Sequence, residues 1–130
     1  MTFVPAYARA DVRFVRGSGS RLWDDAGNKY LDLQTGLAVN SVGHCHPAVV
    51  EAIRKQSAEL IHVGNLFHSD PGEKLAARLA ESSLGGAVHY ANSGTEANEA
   101  AIKMARKARQ GGKIVSVHRG FHGRTYGSLS

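Results

Sequence analysis

The sequence predicts an α/β chain: a small antiparallel meander and helix segment, followed by the opening crossover of a larger parallel-sheet domain. Three observations carry that expectation. Short alternating runs separated by turn residues fill the first part of the chain. Two helical stretches then begin on proline, at Pro47 and at Asp70-Pro71. Residues 86–91, 97–109 and 113–117 read as strand, helix and strand with short links. Such a βαβ unit is normally a right-handed crossover in a parallel sheet.

Taken in order, Val12 to Val15 alternate weakly, Gly17-Ser18-Gly19 breaks the run, and Arg21-Leu22-Trp23-Asp24 resumes it. Asp25-Ala26-Gly27-Asn28 is turn chemistry, and Lys29-Tyr30-Leu31-Asp32-Leu33 alternates again, which closes the meander. Residues 34–46, with Gly36 and Gly43, read as loop with short ordered pieces. Pro47 opens a helix where its missing N–H costs nothing, and Val49, Val50, Ile53 and Leu60 share one face. Residues 61–68 form a link. Asp70 then caps a second helix with Pro71 at its first position, and Leu75, Ala76, Leu79 and Ala80 point inward until Gly85-Gly86. Residues 92–96 turn into the third helix, Gly111-Gly112 ends it, and Lys113-Ile114-Val115-Ser116-Val117 is a compact apolar strand.

Composition narrows the function. With 42% hydrophobic and 21% charged residues the chain is too apolar for disorder. No apolar run approaches the roughly 18 residues of a membrane span, and the N-terminus lacks a signal pattern. A single cysteine, Cys45, excludes an internal disulfide framework and fits the reducing cytoplasm. The net charge of +5 fits a nucleic-acid partner, an anionic ligand, or part of a chain whose acidic residues lie elsewhere. No internal repeat occurs. At 130 residues, with one crossover and no terminating pattern at Gly127-Ser128-Leu129-Ser130, the chain reads as a piece of something larger.

Two segments offer chemistry. Ser93-Gly94-Thr95-Glu96 lies between a strand and a helix, where backbone N–H groups and the helix dipole converge on one spot. Gly94 admits a ligand close to the backbone, and Ser93 and Thr95 offer hydroxyls, which makes a phosphate cradle. The same residues also read as a plain cap, with Ser93 and Glu96 forming a capping box. There is neither a Walker Gly-Lys-Thr/Ser nor a GxGxxG. The second segment, His118-Arg119-Gly120-Phe121-His122-Gly123-Arg124-Thr125, follows the next strand and shares its rim with the first. A flat ligand could stack on Phe121, and Arg124 could clamp a carboxylate bidentately. A basic surface loop with a buried Phe is the alternative.

The string Tyr90-Ala91-Asn92-Ser93-Gly94-Thr95-Glu96-Ala97-Asn98-Glu99-Ala100-Ala101-Ile102-Lys103, followed by Phe121-His122-Gly123-Arg124-Thr125, resembles the class III pyridoxal-phosphate-dependent aminotransferases. Arg21-Leu22-Trp23-Asp24 through Lys29-Tyr30-Leu31-Asp32, Gly36-Leu37-Ala38-Val39-Asn40, Gly43-His44, His46-Pro47 and Asn65-Leu66-Phe67 stand in the family's order. The match covers nearly the whole chain. The resemblance implies the N-terminal part of a fold-type I transferase. Residues 1–69 would contribute to the small domain and dimer contacts, and 70–130 would begin the large, incomplete cofactor domain. Gly94 and Thr95, with Ser93 beside them, would bind the phosphate of pyridoxal 5'-phosphate. Phe121 would stack on its ring, and Arg124 would hold the substrate α-carboxylate.

The implied reaction passes an amino group from N-acetylornithine to 2-oxoglutarate, in arginine synthesis, in a cytoplasmic homodimer. Sister enzymes acting on ornithine, 4-aminobutyrate or succinyl-diaminopimelate are the alternatives. The family's Schiff-base lysine and the aspartate that pairs with the ring nitrogen belong to a later part of the chain. None of Lys29, Lys55, Lys74, Lys103, Lys107 and Lys113 lies in that lysine's motif, so no catalytic residue is assigned and the chain alone is expected not to transaminate.

Other residues attract less. His44-Cys45-His46 invites a metal, but adjacent residues rarely point at one ion, so a structural turn is expected and no metal site. Lys103, Arg106, Lys107 and Arg109 crowd a helix C-terminus, which the macrodipole favours, with no interleaved aromatics for a nucleic acid. A basic anion- or nucleic-acid-binding module remains the non-enzymatic rival; no nucleic-acid or membrane partner is expected.

Overall fold

Asp24 organises the N-terminal meander in the computed structural model, which describes residues 3–129. The strands β1 (Phe14–Ser18), β2 (Arg21–Asp24) and β3 (Lys29–Leu31) pair antiparallel in the order β1-β2-β3. The Asp24 carboxylate accepts from the Asn28 backbone N–H at 2.7 Å, the Asn28 side-chain amide at 2.9 Å and the Tyr30 hydroxyl at 2.8 Å. These bonds close the 25–28 turn and hold the carboxyl below the usual aspartate range. The Asn28 amide is the largest cause, against the opposing effect of burial. Arg16 and Lys29 both stand opposite Trp23 in the register, and their charges lie 3.7 and 5.7 Å from its ring centroid. Phe14 meets Tyr30 edge-on at 5.3 Å. The register slips between Phe14 and Arg16, a bulge that lets one strand bend.

The loop beyond β3 is fastened by Asp32. One carboxylate oxygen accepts the Gln34 and Thr35 backbone N–H groups at 3.1 and 2.8 Å, an Asx turn; the other meets His44 Nε2 at 2.6 Å. His44 also pairs its backbone with Gly19 in an isolated bridge. Gly17 is required beneath it, since a Cβ there would stand 2.7 Å from the imidazole. The turn expected at His44-Cys45-His46 therefore forms, with Cys45 exposed at φ 54°. Helix α1 (Pro47–Glu59) follows with Pro47 in its first turn.

The chain divides into two compact units, Met1–Gly64 and Asn65–Ser130. In the second, α2 (Asp70–Glu81) starts one residue earlier than the sequence suggests. Ser69 is the extended N-cap residue, its carbonyl accepting the Glu73 N–H at 3.2 Å, and Asp70 enters the first turn to pair with Lys74 at 3.0 Å. Helix α3 (Gly94–Ala108) has Ser93 as its N-cap, and a short α4 (Tyr126–Leu129) packs against it.

Two expectations need correction within this α/β architecture. The segments 86–91 and 113–117 flank α3 as expected but form no ladder, and the three-stranded meander is the sheet found among the described residues. Parallel pairing is slightly less stable per residue than antiparallel and occurs almost only where both faces of the sheet are covered. Here Val115 and Val117 stay 90% and 77% exposed. The first segment is instead tied by the Tyr90 hydroxyl, which donates to the Gly72 carbonyl at 2.7 Å. The apolar helix faces are likewise not buried. Leu75 and Leu79 on α2 remain exposed, and no described apolar side chain is buried. A one-sided helix stripe is covered only by a second packed layer.

Candidate functional site

The start of α3 follows from local chemistry. Ser93 is extended, its Oγ accepts the Glu96 N–H at 3.3 Å, and its hydroxyl lies 3.3 Å from the Glu96 carboxylate. The cap reading of this turn is thus realised, with Glu96 reaching the Ser93 hydroxyl. Gly94 and Thr95 occupy the first turn, where no intrahelical carbonyl reaches the N–H groups. A Cβ built on Gly94 meets no atom within 4 Å, so the space over this helix end is open to a ligand.

The second segment is folded back onto α3 by its glycines. Arg119 at φ 62° and the Gly120 N–H, which donates to the Val117 carbonyl at 2.9 Å, make a tight turn. Gly123, at φ 132°, is buried against Thr95 and Ser128, and a Cβ there would overlap both hydroxyls. Asn98 Nδ2 donates to the His122 carbonyl at 2.6 Å. Thr95 Oγ1 lies 2.8 Å from Thr125 Oγ1 and 2.7 Å from Ser128 Oγ.

These contacts bring four of the five expected site residues into one cleft of about 340 Å³. Gly94, Thr95, Phe121 and Arg124 line it, with Asn98, His122 and Gly123. Ser93 is not in the lining; it stands just outside, capping the helix. Phe121 is exposed, and the Arg124 guanidinium lies 5.3 Å from its ring centroid. The cleft therefore combines a helix N-terminus with a hydroxyl, an aromatic face and a fixed cation. That set can hold an anionic group, a flat ring and a carboxylate side by side. Among the described residues no three His, Cys, Asp or Glu side chains are grouped to hold a metal. No described helix is long and apolar enough to cross a membrane.

Glu99 joins this cluster although no motif in the sequence marks it. One of its oxygens, Oε1, accepts from the Thr125 hydroxyl, from the Gly127 N–H at 2.8 Å and from the Ser128 N–H at 3.2 Å. The carboxyl is held below the usual glutamate range, chiefly by the Thr125 hydroxyl, with burial opposing. A signal existed: Thr95, Asn98 and Glu99 are spaced i, i+3, i+4 and form a polar face on a helix. Their partners lie at least 24 residues away, beyond any local pattern.

The cleft lies between the first turn of a helix and a glycine-folded loop, and the comparisons with known proteins give the class of protein that carries it. The family pattern Aminotransferase class-III matches residues 4–130, and the chain belongs to that family. It is 52% identical over 130 residues to the acetylornithine aminotransferase of Caldanaerobacter subterraneus subsp. tengcongensis, covering 95% of this chain and 33% of that protein. Among solved structures it resembles the N-acetylornithine aminotransferase of Stenotrophomonas maltophilia K279a (TM-score 0.73, 43% identity, 76% of this chain and 28% of the other). It also resembles the ornithine aminotransferase of Toxoplasma gondii (TM-score 0.76, 36% identity, 82% and 25%), whose structure shows partial occupancy of PLP at the active site. These are fold-type I aminotransferases, and the chain shares that fold over the part it spans. The chain spans about a third of the length of the curated relatives it matches.

Proposed function

We propose that the whole protein transfers an amino group from N-acetylornithine to 2-oxoglutarate, using pyridoxal 5'-phosphate. The observation that carries this reading is the single cleft shared by Gly94, Thr95, Phe121 and Arg124. The fit to the cofactor rests on the open space over Gly94 and on the donor set around it. The Gly94 and Thr95 N–H groups and the Thr95 hydroxyl would take the phosphate, with the helix dipole aligned to favour its charge. Ser93 supports them by holding the helix start. Phe121 would cover one face of the ring, and Arg124 would pair with the α-carboxylate of the amino acid through two parallel hydrogen bonds. When bound, the cofactor supplies an electron sink for amino-group transfer.

The choice of N-acetylornithine is supported by the 52% identity to an acetylornithine aminotransferase. Residues 1–69 are assigned to the small domain and to contacts in a homodimer, residues 70–130 to the start of the cofactor domain, and the protein to the cytoplasm. The lysines present lie outside the motif of the Schiff-base lysine, so the 130-residue chain by itself is expected to give no turnover.

The test measures amino transfer to 2-oxoglutarate by the full-length protein with four donors: N-acetylornithine, ornithine, 4-aminobutyrate and succinyl-diaminopimelate. The highest kcat/KM is expected with N-acetylornithine. A higher value with another donor overturns the substrate and keeps the class. Absence of transfer with every donor, together with salt-sensitive DNA binding, overturns the class in favour of a basic binding module.

A further inference from the structure

We propose that Glu99 is a positioning residue that sets the reach of Phe121 and Arg124 into the cleft. The proposal rests on the functional reading above and adds a residue to it. Two side chains of α3 grip the segment on either side of Arg124. Asn98 holds the His122 carbonyl at 2.6 Å, and Glu99 holds the Thr125 hydroxyl. Arg124 is therefore suspended between anchors three residues apart, on the face of α3 that also carries Thr95.

The Glu99 anchor is the stronger of the two. A single oxygen, Oε1, gathers the Thr125 hydroxyl, the Gly127 N–H and the Ser128 N–H, so it fixes the end of the loop and the first turn of α4 together. Hydrogen bonds to an ionised acceptor are about twice as strong as neutral ones. Gly127 makes room for this: a Cβ there would stand 2.6 Å from Glu99 Oε2.

Glu99 also sets the direction of the hydroxyl network. Thr125 gives its only hydroxyl proton to Glu99, so toward Thr95 and Ser128 its oxygen can only accept. Thr95 and Ser128 then remain the donors of the group. Thr95, which lines the cleft, can turn its proton to an anionic oxygen while its own oxygen accepts from Ser128 at 2.7 Å. One carboxylate thereby orders both the carboxylate clamp on the loop and the hydroxyl at the helix end.

The test compares Glu99→Ala and Glu99→Gln in the full-length holoenzyme. Loss of a hydrogen-bonded charged anchor predicts KM for the amino donor raised about tenfold or more in Glu99→Ala, with kcat changed by less than about threefold. Glu99→Gln keeps an oxygen at the same place and should recover KM to within about threefold of the parent. Should Glu99→Ala fail to fold, Thr125→Val removes one of the three bonds to Glu99, together with the Thr125 hydroxyl contacts to Thr95 and Ser128, and should raise KM severalfold. Unchanged KM in these variants overturns the proposal. So does a loss equally large in the Gln variant, or kcat and melting temperature falling together without a KM effect. A parent protein that binds no pyridoxal 5'-phosphate overturns the functional reading and this proposal with it, whereas an active parent with an indifferent Glu99→Ala overturns this proposal alone.

Discussion

Gly123 packs against Thr95 so closely that a Cβ on the glycine would overlap the threonine hydroxyl. This contact joins the loop that carries Phe121 and Arg124 to the helix end that carries Gly94 and Thr95. The cleft exists because the glycine has no side chain, and its φ of 132° is a conformation L side chains rarely adopt.

Gly123→Ala should therefore open the cleft. The backbone strain alone costs about 1–3 kcal/mol, and the overlap adds to it. The affinity of the full-length protein for pyridoxal 5'-phosphate, followed by fluorescence titration, is expected to fall by about tenfold or more. An affinity within twofold of the parent would show that loop and helix are not joined there.

Arg124→Lys keeps the charge and loses the fork. A bidentate site does not treat the two residues as equivalents, so KM for the amino donor should rise about tenfold or more while phosphate-ester affinity holds. Steady-state kinetics with the donor varied decides it, and an unchanged KM would remove Arg124 from the carboxylate role.

How much of this could be read from the chain depends on the range of the forces. The 25–28 turn, the Ser93 cap and the Pro47 helix start are decided by residues within a few positions of each other, and they stand where the sequence puts them. Four of the five residues singled out in the sequence, Gly94, Thr95, Phe121 and Arg124, meet in one cleft, because each stands beside a glycine turn or helix start that short-range chemistry sets. The strands expected at 86–91 and 113–117 do not form, since a ladder depends on neighbours that local alternation does not reveal. Glu99 was hidden for a related reason: its partners at 125–128 meet it only after the loop folds back.

The meander should be acid-sensitive. The Asp24 carboxyl is depressed chiefly by the Asn28 amide, and the Asp32 carboxyl chiefly by its bond with His44. A depressed folded pKa contributes stability that is full above the ordinary aspartate value of about 3.9 and is lost as pH falls through the lower, folded value. Trp23 fluorescence should stay flat from neutral pH to about pH 4 and change below it. In Asp24→Asn that acid transition should shrink. A transition centred near neutral pH would contradict the assignment.

The central claim is that the open helix end at Gly94 and Thr95 holds the cofactor by its phosphate. The direct measurement is an equilibrium titration of the full-length protein with pyridoxal 5'-phosphate and with pyridoxal, each against the parent and Thr95→Val. The account predicts that the phosphate ester binds the parent far more tightly than pyridoxal does. Thr95→Val should weaken the ester by about tenfold, the worth of one hydrogen bond to a charged group, and leave pyridoxal unchanged. Equal affinity for the two compounds, or an ester affinity indifferent to Thr95→Val, would contradict it.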